Sequence, residues 1–242
     1  MRLDVYLSDK GYADSRTEAK KLIVEGKVTV SGVPITKPSY DVTESESDIA
    51  VDRSDVRYAS RGGLKLEYAM KQFGISAEGR LCVDIGASSG GFTDCLLKGG
   101  AAHVISIDAG SGQLVPFLRN DDRVTVIENY NARYMTSEDL EYTPNLAVMD
   151  VSFISATYII GRVYDILDAE ADFVCLIKPQ FEVGRGGLGK GGIVKDDKIR
   201  KEAVNKVLDF AKASGFEVVS TLKSAILGGD GNIEYIAHFR KR

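Results

Sequence analysis

The sequence predicts an α/β fold, a mostly parallel seven-stranded sheet layered with helices, behind a small N-terminal α+β piece. Three observations predict it. Short apolar runs at 81–85, 103–107, 124–127, 146–149 and 173–177 recur with turn or helix signals between them. That is the pattern of strands buried on both faces of a parallel sheet. A glycine-rich turn, VDIGASSGGF, closes the first run. Two final runs, 216–222 and 233–239, lie too close for a long helix between them, which predicts an antiparallel pair at the end of the sheet.

The first elements are helical. Leu3, Tyr6 and Leu7 mark one apolar face, and Ser15-Arg-Thr-Glu18 reads as a capping box for a helix carrying Ala19, Leu22 and Ile23. Gly26 ends that helix. Lys27–Val30, a Ser31-Gly32 turn and Val33–Ile35 predict a hairpin. Residues 41–57 are acidic, with Asp41, Glu44, Glu46, Asp48, Asp52 and Asp55, and read as an exposed linker. The expected division is a first domain over 1–52 with linker to about 58, then a second over 59–242. The last long helix spans about 197–213 and stops at Gly215.

Composition narrows the function classes. The net charge of −4 argues against a strongly basic nucleic-acid binder, but residues 178–201 and the terminal Arg240-Lys241-Arg242 are locally basic. Three cysteines, Cys82, Cys95 and Cys175, an odd count without paired spacing, sit in apolar segments and predict reduced thiols in a cytoplasmic protein. Two histidines and no CxxC leave no metal site to propose. No secretory leader is legible in MRLDVYLSDKG, and no apolar run approaches the roughly 20 residues of a membrane span, so no membrane partner is expected.

The glycine turn predicts a cofactor site. Gly86 and Gly91 fit the first and third glycines of a dinucleotide fingerprint, with Gly90 beside them, but Ser88 stands where the second glycine lets backbone approach a pyrophosphate. S-adenosylmethionine has no pyrophosphate, so Ser88 suits it better than NAD. Asp84 is expected to face the cationic methionine portion, Phe92 to start the helix, and Asp108 to accept from the ribose hydroxyls. Two other motifs compete. Gly86-Ala-Ser88-Ser-Gly90 matches a hydrolase nucleophile elbow, with Asp150 and His238 in hydrolase order. Gly184–Gly191 nearly spells a P-loop, but glycine replaces the magnesium-binding hydroxyl and Pro179 breaks the preceding run. A basic glycine loop on RNA, with Arg185 and Lys190, is the better expectation.

Four charged residues remain, each in a distinctive string: Lys65 in SRGGLK, Asp150 in VMDVSF, Lys178 in IKPQFE and Glu234 in GNIEY. With ENYNAR and the glycine turn, these strings resemble the TlyA family of two-domain ribosomal RNA 2′-O-methyltransferases, often labelled hemolysins. The resemblance runs nearly end to end. It implies a Rossmann-like class I methyltransferase domain similar to the FtsJ-like enzymes, with Lys65, Asp150, Lys178 and Glu234 as the catalytic tetrad. It also implies Asn131 and Arg133 at the adenine end of S-adenosylmethionine. RLDVYL…SRTEAKKLIVEGKVTVSG resembles the S-four RNA-binding domain, which implies RNA contacts from Arg2, Arg16, Lys20 and Lys21.

The chemistry stands beside the resemblance. A ribose hydroxyl is a weak acid, and a partly desolvated Lys178 with Asp150 beside it suits removal of its proton. The expected partner is ribosomal RNA or a ribosomal subunit, with cytidine as the family's nucleotide. Two rivals are a pore-forming hemolysin, for which neither a membrane helix nor barrel strands are legible, and an RNA-binding protein that has lost activity.

Overall fold

The computed structural model describes the chain apart from residues 14, 44–47 and 53–56 and the side chains of Arg185 and Lys190. The contacts divide it into two compact units, Met1–Arg57 and Tyr58–Arg242.

In the first unit, helices α1 (Leu3–Asp9) and α2 (Arg16–Val24) pack beside strands β1 (Val28–Val30), β2 (Val33–Pro34) and β3 (Ile49–Val51), in the order β2-β1-β3. Ser15 caps α2, accepting from the Glu18 N–H at 3.2 Å. Ser31 and Gly32 both take positive φ, as a tight hairpin turn between β1 and β2 requires. Leu3, Leu7, Leu22, Ile23, Val28 and Val30 form the core. One expectation is corrected here. The stretch read as exposed linker contains β3, which pairs antiparallel with β1 and buries Ile49. Asp48 and Asp52 flank a three-residue apolar run and mask it in the sequence. Glu44, Glu46 and Asp55 of that acidic stretch lie outside the described residues.

The second unit alternates strands and helices. It runs α3 (Gly62–Phe73), β4 (Leu81–Ile85), α4 (Gly91–Lys98), β5 (His103–Ile107), α5 (Pro116–Arg119), β6 (Val124–Ile127) and β7 (Leu146–Met149). There follow α6 (Thr157–Ile166), β8 (Asp172–Ile177), α7 (Pro179–Glu182), α8 (Asp197–Ala213), β9 (Phe216–Lys223) and β10 (Tyr235–Lys241). The seven strands order as β6-β5-β4-β7-β8-β10-β9. All neighbours are parallel except β10, which runs antiparallel to both β8 and β9. This is the expected Rossmann-like sheet. The last strand starts at Tyr235 rather than 233, because Asn232 is drawn into the loop, its carbonyl accepting from the Gly228 N–H and its side chain from the Val194 N–H.

Side-chain alternation splits the sheet's two faces. Val83, Ile85, Ala147 and Met149 join one core with α6 and α8, while Cys82, Leu146 and Val148 join another with α3 and α4. All three cysteines are buried, and no disulfide forms among the described residues. Among the described residues no helix is long and apolar enough to cross a membrane, and no group of His, Cys, Asp and Glu could hold a metal.

Candidate active site

Strand order reverses between β4 and β7, so the loops leaving their C-terminal ends open a crevice, the usual ligand site of such sheets. Glycines bring the flanking segments together there. Gly86 has φ of 85°, and a Cβ on it would stand 2.5 Å from the Asp150 carbonyl oxygen. A Cβ at Gly91 would come to 3.0 Å from the Gly63 nitrogen, and one at Gly63 would strike the Tyr58 ring. The glycines of SRGG and GASSGG thus let the start of α3 lie on the start of α4. Lys65, in the first turn of α3, reaches the glycine turn as a result.

Two adjoining pockets share a wall made of Gly86, Ser88, Asp150 and Ser152. The smaller, about 280 Å³, is completed by Ser60, Arg61, Lys65, Gly91, Phe92 and Lys178. The larger, about 490 Å³, is completed by Asp108, Gln113, Tyr130, Asn131, Phe153 and Ile154, among others.

The four charged residues form two ion pairs. Lys178 Nζ lies 2.5 Å from Asp150 Oδ1 and donates to Ser152 Oγ at 2.7 Å. Lys65 Nζ donates to Glu234 Oε2 at 2.6 Å, with both side chains buried. Strand directions explain the meeting: β8 ends just before Lys178, and antiparallel β10 begins just after Glu234, so both sit at the same end of the sheet. Lys65, Asp150 and Lys178 line the smaller pocket, while Glu234 stands behind Lys65.

In the larger pocket, Asp108 is anchored through both oxygens, accepting from the Ser88 N–H and the Gly110 N–H, each at 2.7 Å. Ser88 holds an αL conformation, φ 48°, and its hydroxyl donates to Gln113 Oε1 at 3.1 Å. Asn131 lines the pocket and also accepts from the Arg133 N–H.

Other expected cofactor residues lie away from the pocket surface. Gly90, with φ of 96°, packs against Leu114 and Leu118. Arg133 points elsewhere, its guanidinium 4.8 Å from the ring centre of exposed Tyr158. Asp84 is fully buried below the turn, accepting from Thr93 Oγ1 at 2.7 Å, and its Oδ1 has no partner among the described residues. Burial pushes its carboxyl up to about 7, against the lowering effect of the Thr93 hydrogen bond.

No hydrolase triad assembles. His238 is buried at the other end of the sheet and pairs with Asp172 at 2.8 Å. Asp172 also receives Arg80 and Arg240, and the three partners hold its carboxyl well below the usual range. The segment that resembles a P-loop follows the short α7 and forms two 3-10 turns rather than a strand-loop-helix. The side chains of Arg185 and Lys190 lie outside the described residues. Arg2, Arg16, Lys20 and Lys21 are all exposed on the first unit.

The structure adds residues that the sequence reasoning passed over. Ser152 and Phe153 stand in the quoted VMDVSF string. Phe153 is 92% exposed and has φ of 65°, rare for a bulky residue and a common mark of functional strain. Its ring lies 5.2 Å from Phe181, which in turn lies 6.0 Å from Lys178 Nζ. Glu182 of IKPQFE is buried and accepts from Ala156 N–H at 2.7 Å and from Ser155 Oγ. It ties the loop after Asp150 to the helix after Lys178. Arg61 borders the smaller pocket with no ion-pair partner among the described residues.

Comparison with known proteins bears on this geometry. Residues 58–241 match the FtsJ-like methyltransferase family, and residues 1–48 match the S4 domain. Hemolysin A of Brachyspira hyodysenteriae is 45% identical over 240 residues, covering 99% of each chain. The 16S/23S rRNA (cytidine-2′-O)-methyltransferase TlyA of Mycobacterium tuberculosis is 42% identical over 239 residues, covering 99% of this chain and 89% of that one. A solved structure of a hemolysin-named protein from Streptococcus thermophilus superposes with a TM-score of 0.82 at 41% identity, covering 100% of this chain and 88% of that one.

Proposed function

The chain belongs to the FtsJ-like methyltransferase family, and from that premise we propose that it methylates the ribose 2′-hydroxyl of a cytidine in ribosomal RNA, using S-adenosylmethionine. The observation that carries this reading is the shared wall of the two pockets. Asp150 and Ser152 border both, and both are in contact with Lys178 Nζ. A methyl donor in the larger pocket and a ribose in the smaller would meet across that wall, beside an amine and a carboxylate.

The larger pocket fits the cofactor. The Asp108 oxygens keep lone pairs for two ribose hydroxyls after accepting their backbone hydrogens. Tyr130, Asn131 and Ile154 border the space for the adenine, and Asp84 lies beneath the turn with one carboxylate oxygen uncommitted. When bound, the cofactor supplies an electrophilic methyl group and its sulfur keeps the bonding electron pair.

The protein's own residues do the rest. The Lys178–Asp150 pair would take the proton that the ribose hydroxyl gives up as it attacks. Ser152 fixes the Lys178 amine from a second side. Lys65, held by Glu234, presents its amine to the nucleotide in the smaller pocket. Holding oxygen, carbon and sulfur in line supplies much of the acceleration. The first unit contributes RNA affinity through Arg2, Arg16, Lys20 and Lys21, with Arg185 and Lys190 on the second unit. Three reduced thiols and a ribosomal substrate suit the cytoplasm.

The test is methyl transfer from labelled S-adenosylmethionine to purified ribosomal subunits, followed by mapping of 2′-O-methyl positions. Label appearing on a ribose supports the reading; unlabelled RNA, or label on a base, sinks it.

A further inference from the structure

Asp4 is an odd residue to find beneath two exposed arginines, Arg2 and Arg16. It lies in the first turn of α1 and has no exposed surface, yet it is charged. A buried carboxylate is costly unless it is paired and hydrogen-bonded. Here it is paired twice. Oδ1 accepts from Arg2 Nε at 2.9 Å, and Oδ2 accepts from Arg2 Nη2 at 3.1 Å and from Arg16 Nε at 3.0 Å. The hydrogen bond from Arg2 does most to hold its carboxyl down at about 2, so the ion stays charged at neutral pH.

The arrangement leaves much of each arginine uncommitted. The side chains of Arg2 and Arg16 are 48% and 52% exposed. Arg16 gives only its Nε to Asp4, so its Nη groups have no other partner among the described residues. Both guanidiniums touch the same oxygen, so they are neighbours on the surface although they come from different helical segments. Arginine presents planar forks that match phosphate oxygens. A free arginine must give up rotamer entropy to offer that fork; these two have given it up already.

We propose that Asp4 is a positioning residue for RNA binding, holding Arg2 and Arg16 as a preformed pair of guanidinium forks for the phosphodiester backbone. This rests on the reading that the first unit binds RNA. It has a consequence of unusual sign. Removing a negative charge from a phosphate-binding face should tighten binding if charge alone mattered. Removing Asp4 should weaken it.

The experiment uses the full chain and purified large and small ribosomal subunits, with binding measured across a range of salt. Arg2→Ala and Arg16→Ala should each weaken binding and lower the salt slope by about one. Asp4→Asn should weaken binding about tenfold with the slope unchanged, since both phosphate contacts survive but are no longer preorganised. In the Arg2→Ala/Arg16→Ala background, Asp4→Asn should cause no further loss of binding, because its action runs through the arginines, and should raise the melting temperature, because it removes a buried carboxylate left without those partners. Unchanged or tighter binding by Asp4→Asn, while the arginine variants weaken, overturns the proposal. A loss that persists in the double-alanine background also overturns it, marking Asp4 as a fold residue. Arginine variants that bind like the parent overturn the RNA reading of this surface, and the proposal with it.

Discussion

Lys65 and Glu234, 169 positions apart, meet in one buried ion pair with Nζ 2.6 Å from Oε2. Neither residue's own segment explains the contact. It exists because α3 starts against the glycine turn and β10 runs antiparallel to β8.

That pair separates stability from catalysis. Glu234→Gln leaves a buried ammonium without its carboxylate and should cost about 3–5 kcal/mol by urea denaturation. Adding Lys65→Met removes the stranded charge and should restore most of that loss. Neither variant should methylate subunits at more than about a hundredth of the parent rate. Full activity in the double variant would show the pair to be structural only.

Lys178→Ala should lower methyl transfer by about 10²–10⁴-fold while S-adenosylmethionine binding, read by calorimetry, stays within about threefold. Lys178 borders the smaller pocket and not the larger one, which is why the two readouts should part. Ser88→Ala is the control. Its hydroxyl bonds only to Gln113 among the described residues, so activity should stay near the parent's. An esterase lost with Ser88 would replace the methyltransferase reading.

Asp84 should make stability depend on pH in an uncommon direction. Its carboxyl is raised from 3.8 to about 7 by burial. An acid with a raised folded pKa contributes stability that is full below about 4 and lost as pH climbs through about 7. Asp84→Asn mimics the protonated acid. It should match the parent's melting temperature near pH 4 and exceed it at pH 8, by a shift worth a few kcal/mol. If the carboxylate also meets the cofactor's cation, the same variant should bind S-adenosylmethionine more weakly at pH 8. A parallel pair of melting curves across this range would refute the buried-acid account.

Phe153→Gly should stabilise the fold and damage the enzyme. Glycine tolerates φ of 65°, so relief of strain should add about 1 kcal/mol, and almost no buried surface is lost from a ring 92% exposed. Methylation should fall at least tenfold, because an exposed ring beside the pocket mouth offers a stacking surface for a base. A variant that is more stable and equally active would leave the ring without a role.

Much of this was legible in the sequence. Strands buried on both faces produce unbroken apolar runs, so β4 through β7 stand at their expected bounds. The four charged residues that pair here, Lys65, Asp150, Lys178 and Glu234, were conspicuous because each sits at a strand end or helix start in a distinctive string. What escaped depends on tertiary neighbours. Arg133 stacks on Tyr158, a ring 25 positions later that no local pattern pairs with it. Glu182 reads as one more surface acid until its bonds to Ser155 and Ala156 are seen. β3 hides between acids because three residues are too few to establish a period.

The position of β10 has a bearing on how the protein is made. Among the described residues it is the last strand in sequence but an inner strand of the sheet, and β9 pairs only with it. Ribosomes deliver chains from the N-terminus. A chain broken off before Glu234 would hold the glycine turn, Asp150 and Lys178, yet leave β8 with a bare edge, β9 unpaired and Lys65 without its counter-ion. The buried Lys65–Glu234 pair can therefore form only once the C-terminal segment has been added to the sheet.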